Sequence, residues 1–215
     1  MKFEFIYEPV PVIIIRDMFT KKQNKEMLEE AISHKKDFIN SGTGIDNVTT
    51  EFRDNKVAYF DDIYVHDRTK SKLLSHIQSM FSMDEFKNIL SSAQYPINLF
   101  PSSTFHETQV SRYGDNGQKY GYHIDSFDNE RRQLTIVYYM NEEPKKYKGG
   151  EILLTRSTIS KGKVMDPNEE PIKIVPENNM AVIFGARVAH CVLPTKSPKT
   201  FSKGRFSINC WIGKK

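Results

Sequence analysis

The spacing of hydrophobic positions along this chain changes character near residue 104. Upstream, Val12 to Ile15 is a short apolar run that reads as a strand, and Phe19, Met27, Leu28, Ala31 and Ile32 recur at near-helical intervals across Thr20 to Phe38. Thr20 stands where an N-cap belongs, so this stretch predicts a helix packed on a sheet. Asn40 to Thr50, rich in Gly, Asn and Thr, predicts a loop, and Val57 to Tyr64 a short strand or irregular piece. Lys70 to Phe81 and Met83 to Ser91 predict helix with a break near Ser82 and Met83.

From Thr104 onward the pattern becomes short runs of β-branched and aromatic residues. These are Thr104 to Tyr113, Tyr120 to Ile124, Gln133 to Met140, Glu151 to Thr155, Ile172 to Val175, Met180 to Phe184, His190 to Leu193 and Phe206 to Ile212. Eight such runs joined by turn-rich connections predict a mainly β fold, a barrel or double-sheet jelly roll, with the earlier helices packed outside it. Gly149 and Gly150 mark a tight connection into a strand. The Lys-rich, Pro-containing pieces Glu142 to Lys148 and Thr195 to Lys203 are expected to be exposed rim loops. The expectation is one domain over 1–215, in which 1–103 is a helical support with strands and 104–215 is the β core.

Composition narrows this only a little. The 215 residues are 38% hydrophobic and 12% aromatic, the balance of a folded globular chain, and the net charge of +4 suits an acidic partner without requiring one. Two cysteines, Cys191 and Cys210, supply neither a disulfide framework nor a Cys-based zinc pattern and fit a reducing compartment. No apolar run is long enough to span a membrane, and the N-terminus carries Glu4 and Glu8 ahead of its apolar patch at Val10 to Ile15 and lacks a small-residue cleavage site, against a signal peptide. A cytoplasmic protein is the expectation.

The candidate chemistry lies in 113–125, YGDNGQKYGYHID, together with His190. Two imidazoles and one carboxylate, His123, Asp125 and His190, can occupy one face of an octahedral ferrous ion and leave other positions open. His123 and Asp125 are two apart, so on a strand both point to one face. Such ligands also suit zinc or manganese. Arg205 opens an apolar strand, where a guanidinium can grip the far carboxylate of a dicarboxylate held on iron and tilts the choice toward iron. Tyr113 and Tyr139 have hydroxyls able to share that role. Cys191 follows His190 and on a strand would face the other way. His106 reads as an ordinary strand residue, and His34, His66 and His76 as surface residues.

In this order, Tyr113, His123, Asp125, Arg132, Thr135 to Asn141, Gly149-Gly150-Glu151, His190, Arg205 and Trp211 resemble the prolyl-4-hydroxylase-like branch of the Fe(II)/2-oxoglutarate dioxygenases, especially the oxygen-sensing prolyl hydroxylases. The resemblance covers about half the chain. It implies a double-stranded β-helix with cupin-like architecture, and His123, Asp125 and His190 as ligands of Fe(2+). It implies Arg205 as partner of the 2-oxoglutarate C5 carboxylate, with Tyr139 a second donor and Tyr113 lining that pocket. It places Arg132 toward substrate, with Asp115, Asn116 and Tyr120 as further candidate substrate residues. The implied cofactors are Fe(2+), 2-oxoglutarate and O2, with ascorbate as a stimulant.

The activity so implied is hydroxylation of proline in a peptide or protein. A free amino acid or related metabolite is the alternative substrate. A nucleic-acid demethylase finds less support, because no basic patch with interleaved aromatics accompanies the core motif. Thr195 to Lys203 looks like an insertion relative to the oxygen-sensing enzymes.

Overall fold

The computed structural model describes residues 1–41, 51–93, 105–114, 117–126, 131–156, 159–160, 163–164 and 169–213. The expected loop from Asn40 to Thr50 lies, apart from its first two residues, outside them. The chain opens with strands β1 (Lys2–Ile6) and β2 (Val12–Arg16), then helix α1 (Lys21–Ser33) and strands β3 (Ile39–Asn40) and β4 (Lys56–Tyr59). Helices α2 (Phe60–Ile63), α3 (Lys72–Met80) and α4 (Asp84–Ser92) follow. The rest is β: β5 (Phe105–Tyr113), β6 (Gln118–His123), β7 (Arg132–Met140), β8 (Lys148–Gly149), β9 (Ile152–Thr155), β10 (Ile159–Ser160), β11 (Lys163–Val164), β12 (Ile172–Ile174), β13 (Met180–Gly185), β14 (Ala189–Lys196) and β15 (Arg205–Gly213).

Two antiparallel sheets face one another. The larger has the order β1-β2-β13-β7-β15-β5-β4-β3, and the smaller β12-β9-β14-β6 with β8 paired to β14. This is the expected mainly β, double-stranded β-helix architecture. Side chains alternate between two buried faces, which explains why strands such as β2 and β13 are almost wholly apolar. On β7 the side chains of Leu134, Ile136, Tyr138 and Met140 join Met27, Leu28, Leu73, Ile77 and Phe86 in the core beneath the helices. Val137 and Tyr139 face the opposite way, toward Ile152, Leu154 and Ile174 of the smaller sheet. The centre of the large sheet is therefore buried on both faces, and its inner face is the floor of the site.

The helices follow the predicted pattern with shorter bounds. Thr20 caps α1: its hydroxyl accepts from the Gln23 backbone at 3.2 Å, and the Gln23 side chain accepts from the Thr20 backbone at 3.0 Å. The helix stops at Ser33, not Phe38, because Phe38 turns away to pack edge-on against Phe201 and Phe206. α3 and α4 sit on either side of the expected break. β1 is an additional strand.

The two loops expected to be exposed are only partly so. Tyr147 is buried, β14 runs on through Lys196 with Thr195 buried, and Phe201 packs on Phe206. A Lys203–Glu142 ion pair ties one loop to the other. No helix among the described residues is long and apolar enough to cross a membrane.

Candidate active site

Strand register brings the candidate ligands together. β14 pairs antiparallel with β6 so that His190 stands directly opposite His123, and their ring centroids are 4.1 Å apart. β6 ends at His123, so Asp125 belongs to the turn that follows and not to the strand expected for it. The backbone N–H of Asp125 donates to Ala186 O at 2.9 Å, which pins that turn to the connection between β13 and β14. Its carboxylate thereby returns to the imidazoles: Oδ1 lies 3.7 Å from His123 Nε2 and Oδ2 lies 3.5 Å from His190 Nε2.

Each group is held in a metal-ready state. Nδ1 of His123 pairs with Gly121 O at 2.8 Å and Nδ1 of His190 with Val188 O at 2.9 Å. As donors to carbonyls, both Nδ1 nitrogens carry a proton, which leaves Nε2 of each ring as the atom that faces a metal. Burial, with the neighbouring His190, drives the His123 imidazole well below its ordinary value and keeps it neutral. Burial also opposes ionisation of Asp125, but His190, His123 and a 2.6 Å hydrogen bond from Thr135 Oγ1 outweigh it and hold the carboxyl below its usual range. The three ligand atoms lie within 4.8 Å of one another, and no other such group of three occurs among the described residues.

A second centre sits deeper in the same barrel. Arg205 is 1% exposed, and among the described residues no carboxylate pairs with it. Its Nε donates to Gly150 O at 2.8 Å, and its guanidinium carbon lies 4.8 Å and 4.9 Å from the ring centroids of Tyr113 and Tyr139. A buried charge without a counter-ion is costly. Among the described residues, the buried hydroxyls of Tyr139, Tyr147 and Thr195 find no hydrogen-bond partner. Burial pushes the Tyr139 phenol up to about 12, against the pull of Arg205. One guanidinium and neutral hydroxyl donors around it form a receptor for an anion. The residues present therefore fit both a ferrous ion and a dicarboxylate.

The other candidates fall around the mouth. Tyr120 stacks on His123 at 3.6 Å between centroids, and the Arg53 guanidinium carbon lies 4.3 Å from the centroid of the Tyr120 ring. Arg132 is committed within the protein: it pairs with Glu107, covers the Trp211 ring at 4.0 Å and donates to Asp125 O at 3.1 Å. Asp115 and Asn116 lie outside the described residues. His106 points away from the site and packs edge-on against Phe81 at 4.5 Å. Cys191 is buried beside His190 and takes no part in the ligand group. His66 is exposed, but His34 and His76 are half-buried, bonded to Asp37 and Tyr64 and to Glu26 respectively.

Sequence reasoning missed Thr135, Tyr147, Thr195 and Arg53. Thr135 was detectable, two positions before Val137 on the same face as Tyr139. The others arrive through pairings of distant segments that carry no local signal.

This geometry agrees with the comparison to known proteins. The chain matches the 2OG-Fe(II) oxygenase superfamily over residues 108–213, a span that holds every ligand and anion-binding candidate named above. Residues 108–213 form a 2OG-Fe(II) oxygenase superfamily domain. Over 221 aligned residues the chain is 28% identical to an uncharacterised PKHD-type hydroxylase of Synechocystis sp., covering 99% of this chain and 66% of that protein's length. In structure it resembles a prolyl hydroxylase from Trichoplax adhaerens solved with a hypoxia inducible factor peptide, with a TM-score of 0.68, 18% identity and coverage of 94% and 83%. It also resembles a prolyl-4-hydroxylase from Pseudomonas putida, with a TM-score of 0.62, 18% identity and coverage of 95% and 92%. At these identities the likeness is one of fold.

Proposed function

We propose that this protein is a hydroxylase that uses Fe(2+), 2-oxoglutarate and O2 to hydroxylate proline in a peptide or protein. The observation that carries this reading is Arg205, a fully buried guanidinium with no carboxylate partner among the described residues, in the same barrel as two imidazoles and a carboxylate poised for a metal. His123, Asp125 and His190 would hold the iron through Nε2, a carboxylate oxygen and Nε2. Arg205 and Tyr139 would hold the distal carboxylate of 2-oxoglutarate, with Tyr113 as the wall of that pocket. The chemistry supplied when both are bound is oxygen activation coupled to decarboxylation, giving succinate, carbon dioxide and a hydroxylated substrate.

The chain's own residues orient and protect. Asp125 is fixed through Thr135 and the Ala186 carbonyl, so the ligand carboxylate does not swing on binding. The rings of Tyr113 and Tyr139 exclude water from Arg205 and strengthen its grip on an anion. Tyr120, stacked on His123 at the mouth, is where a substrate ring would meet the ligand face, beside the wall formed by Arg132 and Trp211; Asp115 and Asn116 are proposed at the same mouth. The whole chain is proposed to act as one unit. In support, β1 and β2 add to one end of the large sheet and β4 and β3 to the other, so 1–103 and 104–215 share it.

The test is succinate release by anaerobically iron-loaded protein given O2 and 2-oxoglutarate, with proline-rich peptides or free L-proline, and with or without ascorbate. Peptide-stimulated turnover with an oxygen atom added to the peptide, lost in His123→Ala and Arg205→Ala, is the expected result. Stimulation by the free amino acid alone would transfer the protein to small-molecule metabolism. Absence of turnover under every condition would overturn the proposal.

A further inference from the structure

Four rows of facing residues line the inner surface of β5, β15 and β7. Tyr113 stands opposite Arg205, Ser111 opposite Ser207, Gln109 opposite Asn209, and Glu107 opposite Trp211. From β7, Tyr139 joins the Ser207 row, Val137 the Asn209 row and Thr135 the Trp211 row. The first two rows are the anion end, and the last ends at Thr135, the partner of Asp125. The Gln109–Asn209 row lies between, about 7 Å along the strands from each neighbouring row.

That middle row is polar where the protein makes little use of its polarity. Gln109 is 3% exposed, and its Nε2 finds no hydrogen-bond partner among the described residues. Arg205 Nη1 donates to Ser207 Oγ at 3.4 Å, and Ser207 Oγ donates to Asn209 Oδ1 at 3.2 Å. This relay occupies the acceptor end of Asn209 and leaves its NH2 group as the end turned toward a ligand. Two amides from neighbouring strands thus present donors to one interior. A buried donor left unmet costs about 1–3 kcal/mol, so packing alone favours an apolar residue there, as Val137 is in the same row.

The complementary chemistry is an acceptor without protons of its own, a carboxylate. For a dicarboxylate gripped by Arg205, the far carboxylate is already served and the methylenes accept nothing. At the metal end the 2-oxo oxygen would be spent on the metal, whereas the carboxylate there would keep a second oxygen free to accept. We propose that Gln109 and Asn209 donate hydrogen bonds to the metal-proximal carboxylate of 2-oxoglutarate. This rests on the dioxygenase reading above and extends it to two residues which that reading does not use.

The experiment titrates anaerobic Fe(II)-loaded protein with 2-oxoglutarate, following the charge-transfer absorption of a 2-oxo acid chelated to ferrous iron, with the Tm of each metal-free protein recorded alongside. Gln109→Met removes the donors at constant length, and Asn209→Asp replaces NH2 by an oxygen that repels a carboxylate. Both are expected to weaken 2-oxoglutarate about tenfold or more and to shift the absorption band, with iron affinity unchanged and Tm not lowered in Gln109→Met. Unchanged 2-oxoglutarate affinity in both variants overturns the proposal. So does weakened affinity accompanied by a lower Tm in both, which assigns the row to barrel packing. Arg205→Met separates the two levels: if the wild-type protein gives no band, or Arg205→Met gives an undiminished one, the dioxygenase reading itself fails and takes this proposal with it.

Discussion

Thr135 Oγ1 donates to Asp125 Oδ2 at 2.6 Å, from the centre of the large sheet to a residue in the turn after β6. That bond, with the Ala186 carbonyl behind it, is what holds a carboxylate from a turn against two imidazoles from strands. Thr135→Val keeps the shape and removes the donor. It is expected to weaken metal binding about tenfold, the usual scale for a partner that orients a ligand, while Thr135→Ser restores most of it. Titration of the metal-free protein with Co(2+), read from its visible absorption, measures this. Equal affinities for all three proteins would show that the turn alone fixes Asp125.

Arg205 makes stability and binding move in opposite directions. Its charge is buried with no acidic partner among the described residues, so Arg205→Met relieves a desolvation cost and fills similar volume. The ligand-free variant is expected to melt at or above the wild-type temperature. The wild-type protein should gain about 2.7 kcal/mol when 2-oxoglutarate is present at a hundred times its Kd, and the variant should gain nothing. Thermal unfolding with and without 2-oxoglutarate checks both halves. A large fall in the ligand-free Tm would make Arg205 a structural residue instead.

Much of this was legible before the structure, for reasons particular residues make clear. The eight β runs were readable because enrichment in β-branched and aromatic residues, as along β7 and β13, is a local property. His123, Asp125, His190, Arg205 and Tyr139 were readable as a set because their order and residue types restrict the chemistry. What could not be read is register. Only the pairing of β14 with β6 sets His190 opposite His123, and only the pairing of β15 with β5 and β7 makes a row of Gln109, Asn209 and Val137. Tyr147 sits in a Lys-rich stretch that looks like a solvated loop, yet the fold buries it, and Arg205 is the first charge felt by its hydroxyl. Arg132 was readable as a charged residue near the ligands, but its engagement by Glu107 requires the β5 to β7 arrangement.

Tyr139 gives the alkaline side of the profile. Burial raises its folded pKa to about 12, above the unfolded value near 10, so the neutral phenol is favoured by folding. Its contribution to stability is complete below pH 10 and is lost as pH rises from about 10 to about 12. Through pH 9.5 the hydroxyl therefore remains a donor. Tyr139→Phe is expected to weaken 2-oxoglutarate by the same factor at pH 7.5 and pH 9.5, on the order of one hydrogen bond to a charged group. Calorimetric titration at the two pH values decides it, since a factor that shrinks at pH 9.5 would mean the phenol is already ionising.

Gly150 is the position on which the anion site is most exposed to a single methyl group. Its φ is +71°, in the left-handed region, and a Cβ built there would lie 2.5 Å from Arg205 Cδ and 2.7 Å from Thr195 Oγ1. Neither neighbour has an obvious retreat, because Arg205 is held by the Gly150 carbonyl itself and Thr195 is buried. Gly150→Ala thus combines backbone strain with displacement of the guanidinium, and is expected to destabilise the protein by about 1–3 kcal/mol. The displacement should weaken 2-oxoglutarate more than it weakens the metal, whose ligands stand on other elements. Urea unfolding gives the first quantity, and parallel titrations with Co(2+) and with 2-oxoglutarate give the second. If both ligands weaken equally, the strain has spread through β14 to His190, and the anion and metal centres are mechanically one site.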